Sequence, residues 1–230
     1  MRNLRTTSGL ILAATIGFTT FTVSPAVATT RLSDSAVTSM RSIGANPAAL
    51  AAGTKQAVEV PVADVFDVDF RNGQTTERAQ GLTATVHGEP ASSADLTTGR
   101  SVMSFDGTDD SIGYSFRSQF SRLNQSMSLE CSFRFDGPRT ASSGEAALCS
   151  SKESGGFATV MSGNDVHFMI HVGGGYKSVR VPITTGTWHH TVAVWDGARL
   201  KLYLDGELVR DIAAAGTFKH PTSGADSMML

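Results

Sequence analysis

Two pairs of histidines and a scatter of carboxylates are the residues of this chain whose types could do chemistry. His189 and His190 adjoin inside GTWHHTVAVWDGARLKLYLDGELV, and His167 and His171 bracket HFMIH. Both stretches alternate apolar and polar residues with a period of two, so they read as strands. Neighbours on a strand point to opposite faces, so His189 and His190 do not converge on one ion. His167 and His171 share a face, but four strand steps hold them roughly 13 Å apart. A zinc ion needs its ligands about 2 Å away, so all four read as ordinary sheet residues.

Catalytic carboxylates are no better supported. A two-metal phosphoesterase needs several Asp, His and Asn blocks around its ions, and only the turn Gly163-Asn164-Asp165 faintly echoes one. A glycosidase needs two carboxylates roughly 5–10 Å apart. Glu130 instead shares a strand face with Arg134, which makes an ion pair or a solvated face. No G-x-S-x-G nucleophile elbow occurs. The sequence therefore points away from an enzyme and toward binding. Sugar sites combine aromatic platforms with polar groups. The candidates are Tyr176 beside three glycines, Trp195 at a hairpin end, Tyr203, Glu130 and Arg134. Trp188 is expected in the core. Calcium is the one cofactor to consider, with Asp67, Asp69, Asn72, Asp106, Asp109 and Asp110 as ligands, although their spacing is not that of an EF-hand.

The elements that position these residues are strands. Val65–Phe70, Leu82–Val86, Val102–Phe105, Ser126–Phe135, Phe157–Met161, Val166–Val172 and Lys177–Val181 all alternate or carry β-forming residues. In Ser126–Phe135 the inward set is Met127, Leu129, Cys131, Phe133 and Phe135. A meander follows, turning at Asp196-Gly197 and Asp205-Gly206, pairs suited to the positive φ of tight hairpins. Many short strands with turn signals between them indicate an all-β, two-sheet antiparallel jelly-roll sandwich.

Composition agrees. The chain has 230 residues, 40% hydrophobic and 17% charged, with net charge −2. That is globular, and without a basic patch it argues against a nucleic-acid partner. Arg2 and Arg5 precede an apolar run from Leu10 to about Phe21, and Ala26-Val27-Ala28 is a small-residue cleavage signal. Residues 1–28 thus read as a signal peptide, giving a secreted chain with no membrane span after cleavage. Residues 29–60, rich in Ala, Ser and Thr, read as a linker or pro-segment with one short helix near Pro47–Ala52, and 61–230 as the domain. In an oxidising compartment Cys131 and Cys149 are expected to pair, closing a loop of about 19 residues for about 3 kcal/mol. Cys149 is expected in a Ser/Gly-rich loop.

A family is visible in these residues. GTWHHTVAVWDGARLKLYLDGELV, SFDGTDDSIGY and MSLECSFRF occur in the order found in laminin G-like domains, and the region from about Val60 to Val209 resembles them. The resemblance implies a concanavalin A-like jelly roll that binds carbohydrate or a cell-surface glycoconjugate, with calcium at a loop rim. ECSFRF, CSSKESGGF and HFMIHVGGGYKSV also resemble the modules attached to exported actinobacterial metallophosphoesterases, which places both cysteines in matching positions and implies an accessory role beside a hydrolase partner. Compared with that pattern, the end at HPTSGADSMML implies that the last strands are missing.

Overall fold

The computed structural model describes residues 10–19, 65–70, 73–96, 98–115, 123–137, 144–152, 154–221 and 227–230. Their regular elements are fifteen strands: β1 (Leu10–Thr19), β2 (Asp67–Val68), β3 (Ala84–His87), β4 (Ala91–Ala94), β5 (Ser101–Phe105), β6 (Ser111–Ser115), β7 (Met127–Phe135), β8 (Glu145–Lys152), β9 (Gly156–Ser162), β10 (Asp165–Val172), β11 (Gly175–Pro182), β12 (Trp188–Trp195), β13 (Arg199–Leu204), β14 (Glu207–Ala213) and β15 (Ser227–Met229). They form two antiparallel sheets. The first runs β14-β13-β12-β7-β1-β5-β4, with β2 also on β1; the second runs β11-β10-β9-β8-β15-β6-β3. The all-β sandwich read from the sequence is the fold observed. The short helix expected near Pro47–Ala52 lies outside the described residues.

Period-two alternation builds the core. Met127, Leu129, Cys131, Phe133 and Phe135 of β7 are buried, as their spacing predicts. Phe157 and Met161 of β9, Phe168 and Ile170 of β10, and Leu200 and Leu202 of β13 join them between the sheets. Each such side chain contributes about 1.5–3 kcal/mol through burial. Asp205 has φ 52° and Gly206 φ 91°, so this Asp-Gly pair makes the left-handed turn expected of it.

Two expectations are corrected. Cys149 lies in β8, not in a loop, and the disulfide is absent: Cys131 and Cys149 are free, buried thiols. They belong to opposite sheets, and the Cys149 thiol packs 3.1 Å from Met228 Sδ. Burial pushes the Cys131 thiol up to about 12, which suppresses its nucleophilic thiolate. The tail carrying Met228 is itself built in, as β15 pairs with β6 and β8. Leu10–Thr19, read from sequence as part of a leader, forms β1 between β7 and β5.

Candidate functional site

The outer face of the second sheet has an unusual composition. On β9 and β10 the residues that point away from the core include Ala158, Val160 and Met169, and these form a small apolar cluster separate from the main core. They are buried although no third layer covers them among the described residues. The long side chains around them provide the cover. Glu145 and Lys152 stand at opposite ends of β8, where a straight strand would separate them by roughly 23 Å. Lys152 Nζ nevertheless comes 3.8 Å from Glu145 Oε2, and β8 has an irregularity between Ala147 and Cys149. The two side chains therefore lean over the face toward each other.

Histidines and a tyrosine complete the walls. Cross-strand pairing sets His167 opposite Arg180, Met169 opposite Ser178, and His171 opposite Tyr176. The Tyr176 ring is 43% exposed and lies edge-on to His171, with centroids 4.9 Å apart. Its hydroxyl donates to Gly155 O at 2.7 Å and accepts from Gly155 N–H at 3.1 Å. That bond requires a tight β8–β9 turn, and Gly156 provides it: its φ is +78°, and a Cβ there would collide with the Ser151 carbonyl. Burial, then the nearby Arg180 charge, lowers the His167 pKa; burial alone lowers that of His220, close by next to Gly155. The Nδ1 atoms of His167 and His171 on this face are shielded from solvent and have no hydrogen-bond partner among the described residues; the same holds for that of His220, whose ring instead packs edge-on against core Phe218. A shielded polar atom without a partner is costly, so this face has hydrogen-bonding capacity left over.

On the outer face of the first sheet the charged groups are largely satisfied among themselves, while the shielded Trp188 Nε1 has no hydrogen-bond partner among the described residues. Arg134 donates to Asp95 Oδ2 at 2.6 Å and to Asp136 Oδ1 at 2.9 Å, and its guanidinium lies 5.9 Å from the centre of the Trp188 ring. Burial would raise the Asp95 pKa, but hydrogen bonds from the Thr98 amide and hydroxyl, the nearby Trp188 side chain and the Arg134 charge outweigh it and hold the group low. His190 Nε2 lies 2.8 Å from Glu130. Tyr203 shares this face, opposite Val192, which in turn pairs with Glu130.

One arrangement has the outline of a nucleophile, base and acid. Thr187 Oγ1 is 3.0 Å from His189 Nε2, and His189 Nδ1 is 2.8 Å from Asp205 Oδ2. It is a clasp. Thr187 donates its hydroxyl hydrogen to Thr184 O, which also lies 2.9 Å from His189 Nε2. A carbonyl only accepts, so Nε2 holds its hydrogen there and does not take one from Thr187.

The residues 106–228, more than half of the chain, match the laminin G-type family model of the concanavalin A-like lectin/glucanases superfamily. The chain belongs to this superfamily. Solved structures repeat the fold. The binding domain of Paraclostridial mosquitocidal protein 1 matches 72% of the chain at 10% identity and TM-score 0.52, over 46% of its own length. The binding domain of botulinum neurotoxin DC, solved in complex with rat synaptotagmin II, matches 69% at 8% identity and TM-score 0.51, over 41% of its length. The chain therefore spans less than half of each of these domains. No curated protein matches it.

In this concanavalin A-like domain the sequence-predicted site residues fall in separate places. Tyr176 is on the second sheet's outer face, while Glu130, Arg134 and Tyr203 are on the first sheet's. Trp195 is corrected: it is core, 1% exposed, with its indole N–H donating to Ala214 O at 2.8 Å. Trp188, expected in the core, sits instead on the outer face, directly across from Arg134. Asp67 and Asp69 are buried against Arg78, which approaches them to 2.7 and 3.3 Å. They are remote in role from the Asp106, Asp109 and Asp110 turn, whose ligand atoms lie within 4.8 Å of one another. Asn72 lies outside the described residues. The turn is held by its own carboxylates, with Asp110 accepting the Glu89 and Asp106 amides at 2.6 and 2.7 Å. Gly88 fits against it because a Cβ would stand 2.9 Å from Asp110 Cα. Sequence reasoning did not single out the outward face that His167 and His171 share. It tested them only as ligands of one shared metal, although their common face was visible.

Proposed function

We propose that this chain is an exported, non-catalytic binding module whose ligand is a neutral carbohydrate of a cell-surface glycoconjugate. The supporting observation is the second sheet's outer face: an apolar floor of Ala158, Val160 and Met169 beside histidine Nδ1 atoms without partners. A sugar ring suits it. Its C–H face stacks on the half-exposed Tyr176 ring, and its hydroxyls both donate to and accept from imidazoles. Neutrality follows from charge balance, since Lys152 faces Glu145 and Arg180 faces Asp165, each pair at 3.8 Å. The structural neighbours are binding domains by name, which agrees with a binding role without identifying a ligand. Calcium is an accessory proposal at Asp106, Asp109 and Asp110, because two oxygens on one calcium ion stand no more than about 5 Å apart. No feature of the described residues favours the other reading, an accessory role beside an exported hydrolase.

The test is a screen of immobilised neutral glycans with the full chain and with Tyr176→Ala. Retention on at least one glycan that Tyr176→Ala loses supports the reading. A chain that binds none of them, or binds equally well without Tyr176, overturns it.

A further inference from the structure

The ring face on which a sugar would stack already has a neighbour in this chain. Lys152 Nζ lies over the Tyr176 ring, 5.9 Å from its centre. Lys152 belongs to β8 and Tyr176 to β11, and β9 and β10 run between them. Three strand spacings, roughly 14 Å, separate the two backbones. Both side chains therefore lean inward, over the strands that carry the buried floor of Ala158, Val160 and Met169. The charges of Lys152 and Glu145 both act on His167 of β10, which places that pair above the same floor.

The two arms are held very differently. Tyr176 is anchored by the two hydrogen bonds of its hydroxyl with Gly155. The Lys152 ammonium ends a flexible four-carbon stem and stands between two partners. From the ring it is near the outer limit of cation–π attraction, which reaches about 6 Å. From Glu145 Oε2 it is 3.8 Å away, beyond hydrogen-bonding distance. A part-exposed ion pair of that length contributes little, so a small displacement of the ammonium in either direction costs little.

We infer that Lys152 is a displaceable plug: its ammonium holds the face of Tyr176 in the free chain and swings to Glu145 when a neutral sugar ring takes that face. The inference rests on the carbohydrate reading above and gives that site its gate. Closing the 3.8 Å gap to hydrogen-bonding distance makes a charge-assisted bond, so the charge that leaves the ring is neutralised where it arrives. A sugar ring stacked beside the new pair excludes water from it and strengthens it. Lys152 and Glu145 therefore act in opposite directions on affinity: the lysine opposes the ligand, and the glutamate draws the lysine away. A pair that served stability alone would not separate them in this way, since losing either residue breaks the same contact.

The first measurement needs no ligand. In the full chain the Lys152 ε-methylene protons are compared by NMR with those of Lys201, whose ammonium pairs with Asp196 at 3.1 Å. The Tyr176 ring current should move the Lys152 protons upfield, and Tyr176→Leu should abolish the shift. Lys152 protons that resonate with those of Lys201 overturn the plug. Affinity is then read by titrating lactose, cellobiose, maltose and mannobiose into the full chain, Lys152→Ala and Glu145→Gln. A sugar that binds should do so about threefold more tightly to Lys152→Ala and about threefold more weakly to Glu145→Gln, the size of one exposed cation–ring contact. Weaker binding to both variants would make the ammonium a ligand contact and overturn the plug, as would unchanged binding to both. Shifted Lys152 protons with no sugar bound by the full chain or by Lys152→Ala count against the carbohydrate reading itself, and leave Lys152 as a structural contact of Tyr176.

Discussion

The two outer faces of the sandwich are built from similar residues, each with a cation 5.9 Å from an aromatic ring and a shielded ring nitrogen without a hydrogen bond, and differ in how far their charged groups are paired. On the first sheet Arg134 has two carboxylates and an aromatic ring, and Glu130 has His190. On the second sheet the histidines have shielded nitrogens without partners, and the charged pairs span 3.8 Å rather than hydrogen-bonding distance. Charged residues alone therefore do not mark a site. The face whose charged groups are closely paired contributes to stability, and under the proposed function the face with the looser pairs over an apolar floor is the one that meets the ligand.

The largest effect that could break this comparison is Arg134→Met. It leaves Asp95, almost wholly buried, without its cation, and should lower stability by about 2–3 kcal/mol, read as the midpoint of urea unfolding. Glycan binding should not change, and a loss of binding in a folded Arg134→Met protein would move the site to the first sheet. Next is Tyr176→Ala, which should weaken glycan binding about tenfold, or about 1.4 kcal/mol, by titration calorimetry. Its effect on unfolding should stay below about 1 kcal/mol. A larger loss of stability than of affinity would make Tyr176 a structural strut for the Gly155 turn.

A smaller effect concerns pH. The folded-state pKa of His167 lies below 6.5, so the unfolded chain binds the proton first as pH falls. Stability should be full above about pH 6.5 and decline as pH drops below it toward the folded value. His220 contributes in the same direction. His167→Asn should flatten that decline in a series of thermal melts, and an unchanged slope would show that His167 is not held neutral by the face. The smallest effect is Glu130→Gln. Its contact with His190 is between side chains that are 46% and 41% exposed, and should be worth no more than about 0.5 kcal/mol in a double-mutant cycle.

Much of the architecture was legible because alternation is a local property. The inward set of β7 and the Asp-Gly turns follow from period and turn chemistry alone. β8 and β15 were not legible. Cys149 was read as loop because serines and glycines surround it, yet β8 gains its order from pairing with β9 and from burial of Leu148 and Cys149. The tryptophans show how parity can mislead. Trp188 and Trp195 must face opposite ways, and the apolar Val192 and Val194 suggested that Trp188's side was inward. The core took Ala193 and Trp195 instead, with Phe218 against the indole at 6.1 Å, because one large ring fills that end of the sandwich.

The sequence by itself determined an all-β sandwich and the faces of most strands, since side-chain period, turn residues and apolar runs act between near neighbours. Only the tertiary structure decided which carboxylates are occupied by arginines, which cysteines stay thiols, and which histidines lack partners. Those outcomes depend on which distant strands become neighbours: Asp95 meets Arg134, and Glu145 leans over the sheet to Lys152. No spacing along the chain encodes that meeting, because it is fixed by the order in which strands pair and by the bending of the sheet.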